Sequence, residues 1–449
     1  MSSTRAMRSA RRLSTIALAF AACGGDSERP TPDAAADASP DAVPTLTLQV
    51  SKDGSDLHDG FEKPVETLAR AIEIATADGR VADIVLGPGE YTIRGGETFN
   101  YKVPAGVTIA GPTTGTAVLV GGNVGIGLQF TSGQVQNLEL QNFNTAIDAT
   151  VSLRVKNLKI SSSSTAIHGA RSAKLRIDNL QIGGLESVVC ARGIVLEGEL
   201  FATMVTISGN VGPVLEANNA GPIDISQGNF VTTSMCGRPM LEAVSMTSSF
   251  ALSDSTIDGA ISGINLVAVN TGPPVKATLT NTVVRHTSIG ITARTMSFVM
   301  NGGSISDNGF TAFDGTEGTF KFTSVSISGN RAPGIRVRGT LSLPGLLVLR
   351  NTGVFSNSSD GIVLQDHAGA DLGTVEEPGA NRFTGNAGAG LNAVGKAGQR
   401  RIDAVGNTWL PLTQGTDMSG RYHTAGLVHG PVPGPEGNFT LEAGWDIWF

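Results

Sequence analysis

Four polar residues in the middle of the chain have side chains suited to proton transfer. Asp258, Arg285, His286 and Asp307 each follow a short apolar run, so stacked strands would place them along one edge. The lysis or epimerisation of an acidic polysaccharide requires a base. It also requires a nearby cation that neutralises the uronate carboxylate. These four are therefore the candidate catalytic residues. The competing and favoured interpretation is that they are turn residues on a solvated ridge.

A second group of acidic residues could bind a cation. Asp53, Asp56 and Asp59 lie close together around His58, and Ca²⁺ is bound by several carboxylates on a flexible loop. Aspartates in such Gly- and Ser-containing stretches more often accept hydrogen bonds from their own backbone. Calcium is thus a secondary expectation. No other cofactor is expected, because the six His residues lack zinc-ligand spacing and no phosphate-binding loop occurs.

Cysteine chemistry concerns three residues. Cys190 and Cys236 lie in irregular stretches and could form a disulfide outside the cytoplasm, or remain two buried thiols. The spacing does not decide between these. Cys23 follows a short apolar run and the sequence Phe20-Ala21-Ala22, a pattern similar to a bacterial lipobox, so lipidation of Cys23 is expected. An ordinary cleaved signal is the alternative.

The first 45 residues are expected to serve export and tethering. Residues 1–22 carry four arginines and then about ten apolar residues, too few to span a bilayer, which indicates a signal peptide. Residues 23–45 are rich in Gly, Ala, Asp and Pro, and would form a flexible linker behind the lipidated Cys23. The sequence therefore predicts a lipoprotein on the outer membrane or cell surface of a Gram-negative bacterium.

The composition restricts the class of protein. The 449 residues have a formal net charge of -7, and only 16% are charged. No basic block is present, which excludes typical nucleic-acid binding. With 40% hydrophobic residues, the chain is too apolar for a disordered protein. The 58 glycines favour a turn-rich β protein.

An internal repeat defines the architecture. The segments VQNLEL, VKNLKI and IDNLQI begin at Val135, Val155 and Ile177, which makes the period 20 and 22 residues. Each unit holds short alternating strands between Gly, Asn and Ser, without an amphipathic helix. Such a period is typical of a parallel β-helix, an all-β, three-sided solenoid. The leucine-rich-repeat frame is not sustained, and the two-residue hairpin loops of a sandwich do not recur.

A second recurring pattern, Ile-Ser-Gly-Asn and its variants, has a structural explanation. It ends at Asn210, Asn308, Asn330 and Asn386. Asn tolerates the left-handed backbone of a sharp corner, and stacked Asn amides can hydrogen-bond along a ladder. These asparagines are therefore expected to turn the corners of the coils.

Both ends of the stack are expected to be covered. Apolar residues at helical spacing predict a short N-terminal capping helix over Pro64 to Asp78, ended by Gly79, before a first coil at Ile84. From Phe439 to Phe449 the residues alternate as a single half-buried strand. The expected organisation is a cap with the first coils over residues 46–120, coils over 121–410 and a C-terminal cap or flank over 411–449.

Two blocks resemble a known family. The first contains Ser51, Gly54-Ser55-Asp56, Gly60, Pro64, Thr67-Leu68, Ala71-Ile72, Ala75, Asp83-Ile84, Leu86 and Pro88-Gly89-x-Tyr91, and the second Val405-Gly406-Asn407-Thr408-Trp409, Gln414 and Gly420-Arg421-Tyr422. Together they resemble an uncharacterised bacterial lipoprotein family of the pectate-lyase-like right-handed parallel β-helix superfamily. The resemblance implies this fold. It leaves the activity open, because a fold does not determine function.

The function expected from these features is binding rather than catalysis. The paired aspartates of polygalacturonases and the Asp-Pro-His pattern of alginate epimerases are absent. We therefore expect a non-catalytic envelope lipoprotein, a monomer with a binding or adhesive face for polysaccharide or an envelope protein, held to the membrane by its lipid. The alternative is a polysaccharide lyase or epimerase acting on acidic glycans.

Overall fold

Short strands wind the chain into a right-handed parallel β-helix of about 12 turns, which confirms the predicted fold class. The architecture is described by a computed structural model of residues 46–183, 190–209, 211–233, 236–259, 261–269, 272–394, 401–409, 439–441 and 446–448. Every strand pairing in these ranges is parallel, as a solenoid requires. Coils therefore succeed each other at the inter-strand spacing of about 4.8 Å.

The elements are numbered in chain order. One helix, α1, covers Leu68–Ala77, and one 3-10 turn covers Ile93–Gly95. The strands are Leu46–Val50 (β1), Val81–Leu86 (β2), Gly89–Thr92 (β3), Tyr101–Val103 (β4), Thr108–Ala110 (β5), Ala117–Ser161 (β6), Thr165–Gly169 (β7), Lys174–Gly183 (β8), Arg192–Leu196 (β9), Glu199–Gly209 (β10), Leu215–Asn218 (β11), Ile223–Ser226 (β12), Asn229–Thr232 (β13), Pro239–Met246 (β14), Phe250–Ser253 (β15), Thr256–Asp258 (β16), Ser262–Ala268 (β17), Val275–Arg285 (β18), Ile289–Arg294 (β19), Met296–Ser306 (β20), Phe313–Thr316 (β21), Gly318–Thr323 (β22), Ser326–Ser328 (β23), Ile335–Gly339 (β24), Gly345–Arg350 (β25), Gly353–Phe355 (β26), Ile362–Asp366 (β27), Ala368–Asp371 (β28), Arg382–Thr384 (β29), Leu391–Val394 (β30), Arg401–Asp403 (β31), Thr408–Trp409 (β32), Phe439–Leu441 (β33) and Asp446–Trp448 (β34).

Three faces run along the stack. Face A consists of β12, β15, β22, β25, β28, β31, β34 and the first halves of β8, β10, β18 and β20. Face B consists of β13, β16, β23, β26, β29, β32 and the second halves of those four long strands. Face C consists of β7, β9, β11, β14, β17, β19, β21, β24, β27, β30 and β33.

The interior is a single column of apolar side chains. Alternate residues of each strand point inward, which gives burial patterns such as that of β8, where Leu175, Ile177, Leu180 and Ile182 are buried. In the central coils four phenyl rings interlock, with ring centroids 4.9 to 5.6 Å apart (Phe298, Phe313, Phe320 and Phe322). The outward residues of neighbouring coils consequently lie in columns along each face, and coil register decides which of them meet.

The corner between faces A and B explains the first repeat. Asn137, Asn157 and Asn179 have left-handed φ values of 55°, 48° and 60°. Their amides form a ladder in which Nδ2 of Asn157 and of Asn179 each donates at 3.0 Å to Oδ1 of the preceding Asn. Asn is suited to this place because its short polar side chain lowers the cost of a left-handed backbone.

The Ile-Ser-Gly-Asn pattern serves a different purpose from the one expected. Its left-handed residue is the one before the asparagine, such as Gly329 with φ 69°, so the prediction that these asparagines turn the corner is wrong. Asn308 and Asn330 are fully buried and stack inside the coil, where Nδ2 of Asn308 donates to Oδ1 of Asn330 at 2.8 Å. Asn357 and Asn386 extend the ladder. The expected amide ladder is present, whereas Asn210 lies outside the described residues.

The N-terminal capping helix exists but is shorter than predicted. It begins at Leu68 rather than Pro64, because Thr67 is its N-cap and accepts a hydrogen bond from the N–H of Arg70 at 3.1 Å. The expected apolar face is confirmed, since Leu68, Ala71, Ile72 and Ala75 are buried. The stack begins upstream of Ile84, because β1 pairs with β2 and already belongs to the first coil.

The C-terminal residues continue the stack instead of forming one alternating strand. β33 pairs with β30 on face C, and β34 pairs with β31 on face A, so the two segments lie on different faces. The prediction of a single strand from Phe439 to Phe449 is therefore wrong. No helix within the described ranges has the length and apolar character needed to cross a membrane.

Candidate functional site

Three of the four candidate catalytic residues meet at the end of face B. The register aligns Asp258 with Arg285 on the next coil. Arg285 donates from Nε and Nη2 to Oδ2 of Asp258 at 2.8 Å, and Nδ1 of His286 lies 2.7 Å from Oδ1. One carboxylate therefore holds both neighbouring side chains, and the residues form an exposed, hydrogen-bonded triad.

Asp307 lies one coil further on and stands apart from this triad. It follows Ser306, which is aligned with Arg285, so Asp307 succeeds His286 in the corner column. Both His286 and Asp307 have left-handed φ values, 54° and 56°. In the part of the chain that the structure describes, Asp307 forms no ion pair with the other three. These are corner positions, where turn geometry alone accounts for small or polar residues.

Hydrogen bonds within the triad set the charge state of Asp258. Partial burial by itself would raise the pKa of Asp258, but the hydrogen bonds from His286 and Arg285 outweigh it and lower the pKa below its usual value. The carboxylate of Asp258 is thereby occupied by its two neighbours. The other ring nitrogen of His286 makes no hydrogen bond to a described residue, so it is open to a substrate.

The aspartates considered for calcium are used by the backbone. Asp56 accepts from the N–H groups of Glu66 and Thr67 at 2.9 Å. Asp59 accepts from Phe61 at 3.0 Å, and this hydrogen bond lowers the pKa of Asp59. No group of three metal-ligating side chains occurs among the described residues. Asp56 and Asp59 therefore use their carboxylates to accept from backbone N–H groups, while calcium binding at Asp53, Asp56 and Asp59 stays a prediction.

Other sequence predictions near the termini are not placed by the structure. Cys23, the signal peptide at residues 1–22 and the linker at 23–45 all lie outside the described residues. So does most of the expected C-terminal segment, 411–449, apart from the two strands given above.

Cys190 and Cys236 form a disulfide, which resolves the alternative that the sequence left open. Their Cα atoms are 5.4 Å apart and 46 residues separate them along the chain. Arg238, two residues after Cys236, contacts Glu216 at 3.0 Å and Glu242 at 2.6 Å. Those glutamates are aligned on adjacent coils, and like charges so placed repel. The disulfide thus holds a loop whose arginine neutralises a stacked acidic pair.

A groove on face A combines charged, aromatic and hydroxyl groups. It measures about 500 Å³ and crosses four successive coils. Its lining residues are Arg154, Arg176, Ile177, Asp178, Phe201, Ala202, Thr203, Asp224 and Ser226. The coil register positions them: one column runs Arg154, Arg176, Phe201, Asp224, and the next runs Asp178, Thr203, Ser226.

Two arginines in this groove are stacked without an ion-pair partner among the described residues. Arg154 and Arg176 are aligned on adjacent coils, and both side chains are exposed. Neither makes an ion pair with a described residue. The guanidinium carbon of Arg176 lies 5.4 Å from the ring centre of Phe201, whose ring is exposed on the next coil. Like charges directly opposite each other are unfavourable, so this arrangement favours an anionic ligand.

None of the residues lining this groove is among the candidate site residues predicted from the sequence. The signal was nevertheless present, because the 22-residue interval from Asn157 to Asn179 also carries Arg154 onto Arg176. What could not be extrapolated is the following coil, in which Phe201 comes 25 residues after Arg176.

Comparisons with known proteins agree with this architecture. Residues 52–221 match the model of a family described as a protein of unknown function, DUF1565, and residues 242–408 match the right handed beta helix region. Together with the coil geometry, these matches define the class of protein as a parallel β-helix. The chain is a member of the right-handed parallel β-helix superfamily. A search of curated proteins gives no match.

Several solved structures are similar to this chain at low sequence identity. The A-module of the Azotobacter vinelandii mannuronan C-5 epimerase AlgE4 is 16% identical, with a TM-score of 0.37, and the similarity covers 77% of this chain and 93% of that one. The catalytic domain of a GH87 alpha-1,3-glucanase in complex with nigerose is 14% identical, with a TM-score of 0.43 and coverages of 82% and 70%. The periplasmic alginate epimerase AlgG is 9% identical, with a TM-score of 0.38 and coverages of 77% and 86%. At these identities the similarity concerns the fold alone.

Proposed function

We propose that the β-helix is a non-catalytic binding module of the cell envelope that holds an acidic polysaccharide in the groove on face A. The stacked, unpartnered Arg154 and Arg176 carry this proposal. A guanidinium group binds a carboxylate through two parallel N–H donors. Uronate units would therefore relieve the repulsion between the two arginines while forming charge-assisted hydrogen bonds.

The remaining groups of the groove suit the uncharged parts of a sugar. Phe201 offers an exposed apolar ring against which the C–H face of a pyranose can pack, and Asp178 and Asp224 offer acceptors for hydroxyl groups. Thr203 and Ser226 supply further donors and acceptors. In a site of this kind, a small number of polar groups at fixed positions around an apolar surface orients the ligand.

Substitution of Arg176 is expected to weaken binding about tenfold or more. Arg176→Gln removes the guanidinium that faces both the ligand and Phe201, and a hydrogen bond to a charged group contributes about 1.5 to 3 kcal/mol. The measurement is calorimetric titration of the purified chain with oligogalacturonate and oligomannuronate. Lys321→Gln is the matched control, because Lys321 is an exposed residue in the same column of face A, several coils away.

The proposal would be contradicted if Arg176→Gln and Lys321→Gln weakened binding equally, since the attraction would then depend on overall charge. It would also fail if neutral dextrins bound as tightly as uronates. Phe201→Ala distinguishes ring packing from charge, because it should reduce affinity without changing the salt dependence, whereas Arg176→Gln should reduce both.

A second candidate function is a polysaccharide lyase or epimerase, favoured by the 2.7 Å contact between Asp258 and His286. An imidazole oriented by a carboxylate is a suitable general base. It would take the proton from the carbon next to the uronate carboxyl. Loss of the glycosidic oxygen then gives an unsaturated product, and reprotonation on the other face gives the epimer.

We expect the purified chain to form no unsaturated product from pectin or alginate, because the triad lies on an open edge where water is not excluded. Ultraviolet absorbance detects lysis, and proton exchange from heavy water into the polymer detects epimerisation. Lyase or epimerase activity would be established if the chain formed product or exchanged protons and His286→Ala abolished this activity. Arg176→Gln should then only weaken it, through weaker binding.

The setting proposed for this module is the outer membrane or the cell surface. The apolar run at residues 1–22, Cys23 and the polar linker at 23–45 support export and attachment through a lipid. The chain would act as a monomer. It would bind no nucleic acid and would require no cofactor. An envelope protein is the other partner that its long polar faces could bind.

A further inference from the structure

A column on face C places a hydroxyl group between two arginines. Arg294 is aligned with Thr316 on the next coil, and Thr316 is aligned with Arg338 on the coil after that. The two arginine Cα atoms are thus separated by about two coil spacings, roughly 10 Å. Their long side chains can both reach a small group seated on Thr316. The Thr316 hydroxyl makes no hydrogen bond to another described residue.

The adjacent column holds a buried carboxylate that orients two of the arginines. Asp314 is only 6% exposed and is aligned with Arg336. Nη2 of Arg336 lies 2.5 Å from Oδ2 of Asp314, and Nη2 of Arg338 lies 3.1 Å from both carboxylate oxygens. Both carboxylate oxygens of Asp314 therefore contact a guanidinium group. The second amino groups of the guanidinium forks make no hydrogen bond to the described part of the chain.

The charges at this place do not balance. One aspartate faces Arg336 and Arg338, and Arg294 adds a third cation that forms no ion pair with any described residue. The cluster of Arg294, Asp314, Arg336 and Arg338 consequently carries a surplus of two positive charges, on a chain whose net charge is -7. A buried carboxylate holds guanidinium groups at fixed positions, so these side chains lose little further conformational entropy when they bind an anion.

We propose that this cluster, together with Thr316, is a binding site for a phosphate group. A phosphate monoester carries a charge of about −1.5 to −2 at neutral pH, which matches the surplus, and it presents three acceptor oxygens. Arg294 and Arg338 bind two of these oxygens from opposite sides of the column, and the Thr316 hydroxyl donates to the third. A carboxylate offers one charge and two oxygens, so it satisfies the site only in part.

The site is separate from the groove on face A. Its columns belong to β19, β21 and β24, whereas the groove lies on β6, β8, β10 and β12. The two sites use different faces and different coils. Failure of one proposal therefore leaves the other standing, and one chain can carry a uronate polymer and a phosphate group at the same time.

The test is calorimetric titration of the full chain with inorganic phosphate, with acetate as the monovalent comparison. We expect saturable binding that is at least about tenfold tighter than that of acetate. Arg294→Gln should weaken it about tenfold or more, and Thr316→Val about threefold, as expected for the loss of a charged and a neutral hydrogen bond. Arg294 is exposed and unpaired, so its replacement leaves the fold intact.

Arg154→Gln is the control and should leave phosphate affinity unchanged while it reduces uronate binding. Absence of saturable phosphate binding, or equal weakening by Arg154→Gln and Arg294→Gln, would overturn the proposal. Two further titrations identify the source of the phosphate. Binding of glucose 6-phosphate but not of phosphatidic acid vesicles indicates a phosphorylated sugar, and vesicle binding that Arg294→Gln weakens indicates a lipid headgroup.

Discussion

Replacement of Asn330 by alanine is expected to lower the free energy of unfolding by about 3 to 5 kcal/mol. Oδ1 of Asn330 accepts from the backbone N–H and the amide of Asn308 at 3.1 and 2.8 Å. Its Nδ2 donates to Oδ1 of Asn357 at 2.8 Å and to the carbonyl of Ser328 at 3.0 Å. All these partners are shielded from water by the coils on either side. Each group left unpaired in such a place costs about 1 to 3 kcal/mol.

The exposed ladder provides the control for this effect. Asn157 makes the same type of amide contacts, but in water, so Asn157→Gly should cost less than about 1 kcal/mol, since glycine retains the left-handed backbone. Denaturant unfolding compares the two variants. Hydrogen exchange should show the backbone amide of Asn308, which loses its acceptor, opening first in Asn330→Ala. Equal losses in both variants would refute the role assigned to burial.

Replacement of Glu97 by alanine should detach the N-terminal cap at a cost of about 3 to 5 kcal/mol. The carboxylate of Glu97 is fully buried and accepts from the N–H of Leu68 at 3.1 Å, at the start of α1. It also accepts from the hydroxyl of Tyr101 and lies 4.0 Å from Nζ of Lys52. Alanine would leave the helix N-terminus, a buried phenol and an ammonium group without their common partner.

The pH dependence of this cap follows from the position of Glu97. Burial is the main influence on its pKa and raises it above the ordinary value of 4.5, against the opposing hydrogen bonds from Tyr101 and Leu68. The folded state therefore retains the proton more strongly than the unfolded state. This contribution to stability is complete below pH 4.5 and disappears as the pH rises through the raised pKa.

Glu97→Gln separates the two effects. Glutamine retains one acceptor oxygen for the N–H of Leu68 but replaces the oxygen that accepts from Tyr101 with an amide donor, so it should unfold at a higher denaturant concentration than Glu97→Ala. The stability advantage of the natural chain over Glu97→Gln should be largest in acid and shrink towards neutral pH. Measurement of unfolding midpoints across this range checks the prediction. An advantage that grows with pH would mean that the ionised form of Glu97 holds the cap.

Local sequence patterns were sufficient to predict the fold. The intervals between Asn137, Asn157 and Asn179 correspond to one coil each, and the apolar residues beside them are the buried ones. The helical spacing of Leu68, Ala71, Ile72 and Ala75 identified the cap. Such patterns succeed because inward and outward positions alternate within a strand, and because identical coils repeat the same environment.

Patterns failed where the assignment depended on contacts from a distance. The start of α1 was placed at Pro64, but Asp56 and Glu97 bind the N–H groups that make Thr67 and Leu68 the true beginning. The asparagines of Ile-Ser-Gly-Asn were assigned to corners, although their amides fill the interior. In each case the partner lies 11 or more positions away in the chain, and no local spacing identifies it.

Strand alternation and a period near 20 residues are local properties, so they predict a three-sided parallel β-helix with an N-terminal helix directly from the residues. Which polar side chains meet depends instead on how the coils stack. Turns of different length set the register between coils, so Arg154, Arg176 and Phe201 come together in one column, and Arg294, Thr316 and Arg338 in another. Both proposed sites arise from that register, since every column is assembled from residues more than 20 positions apart in the chain.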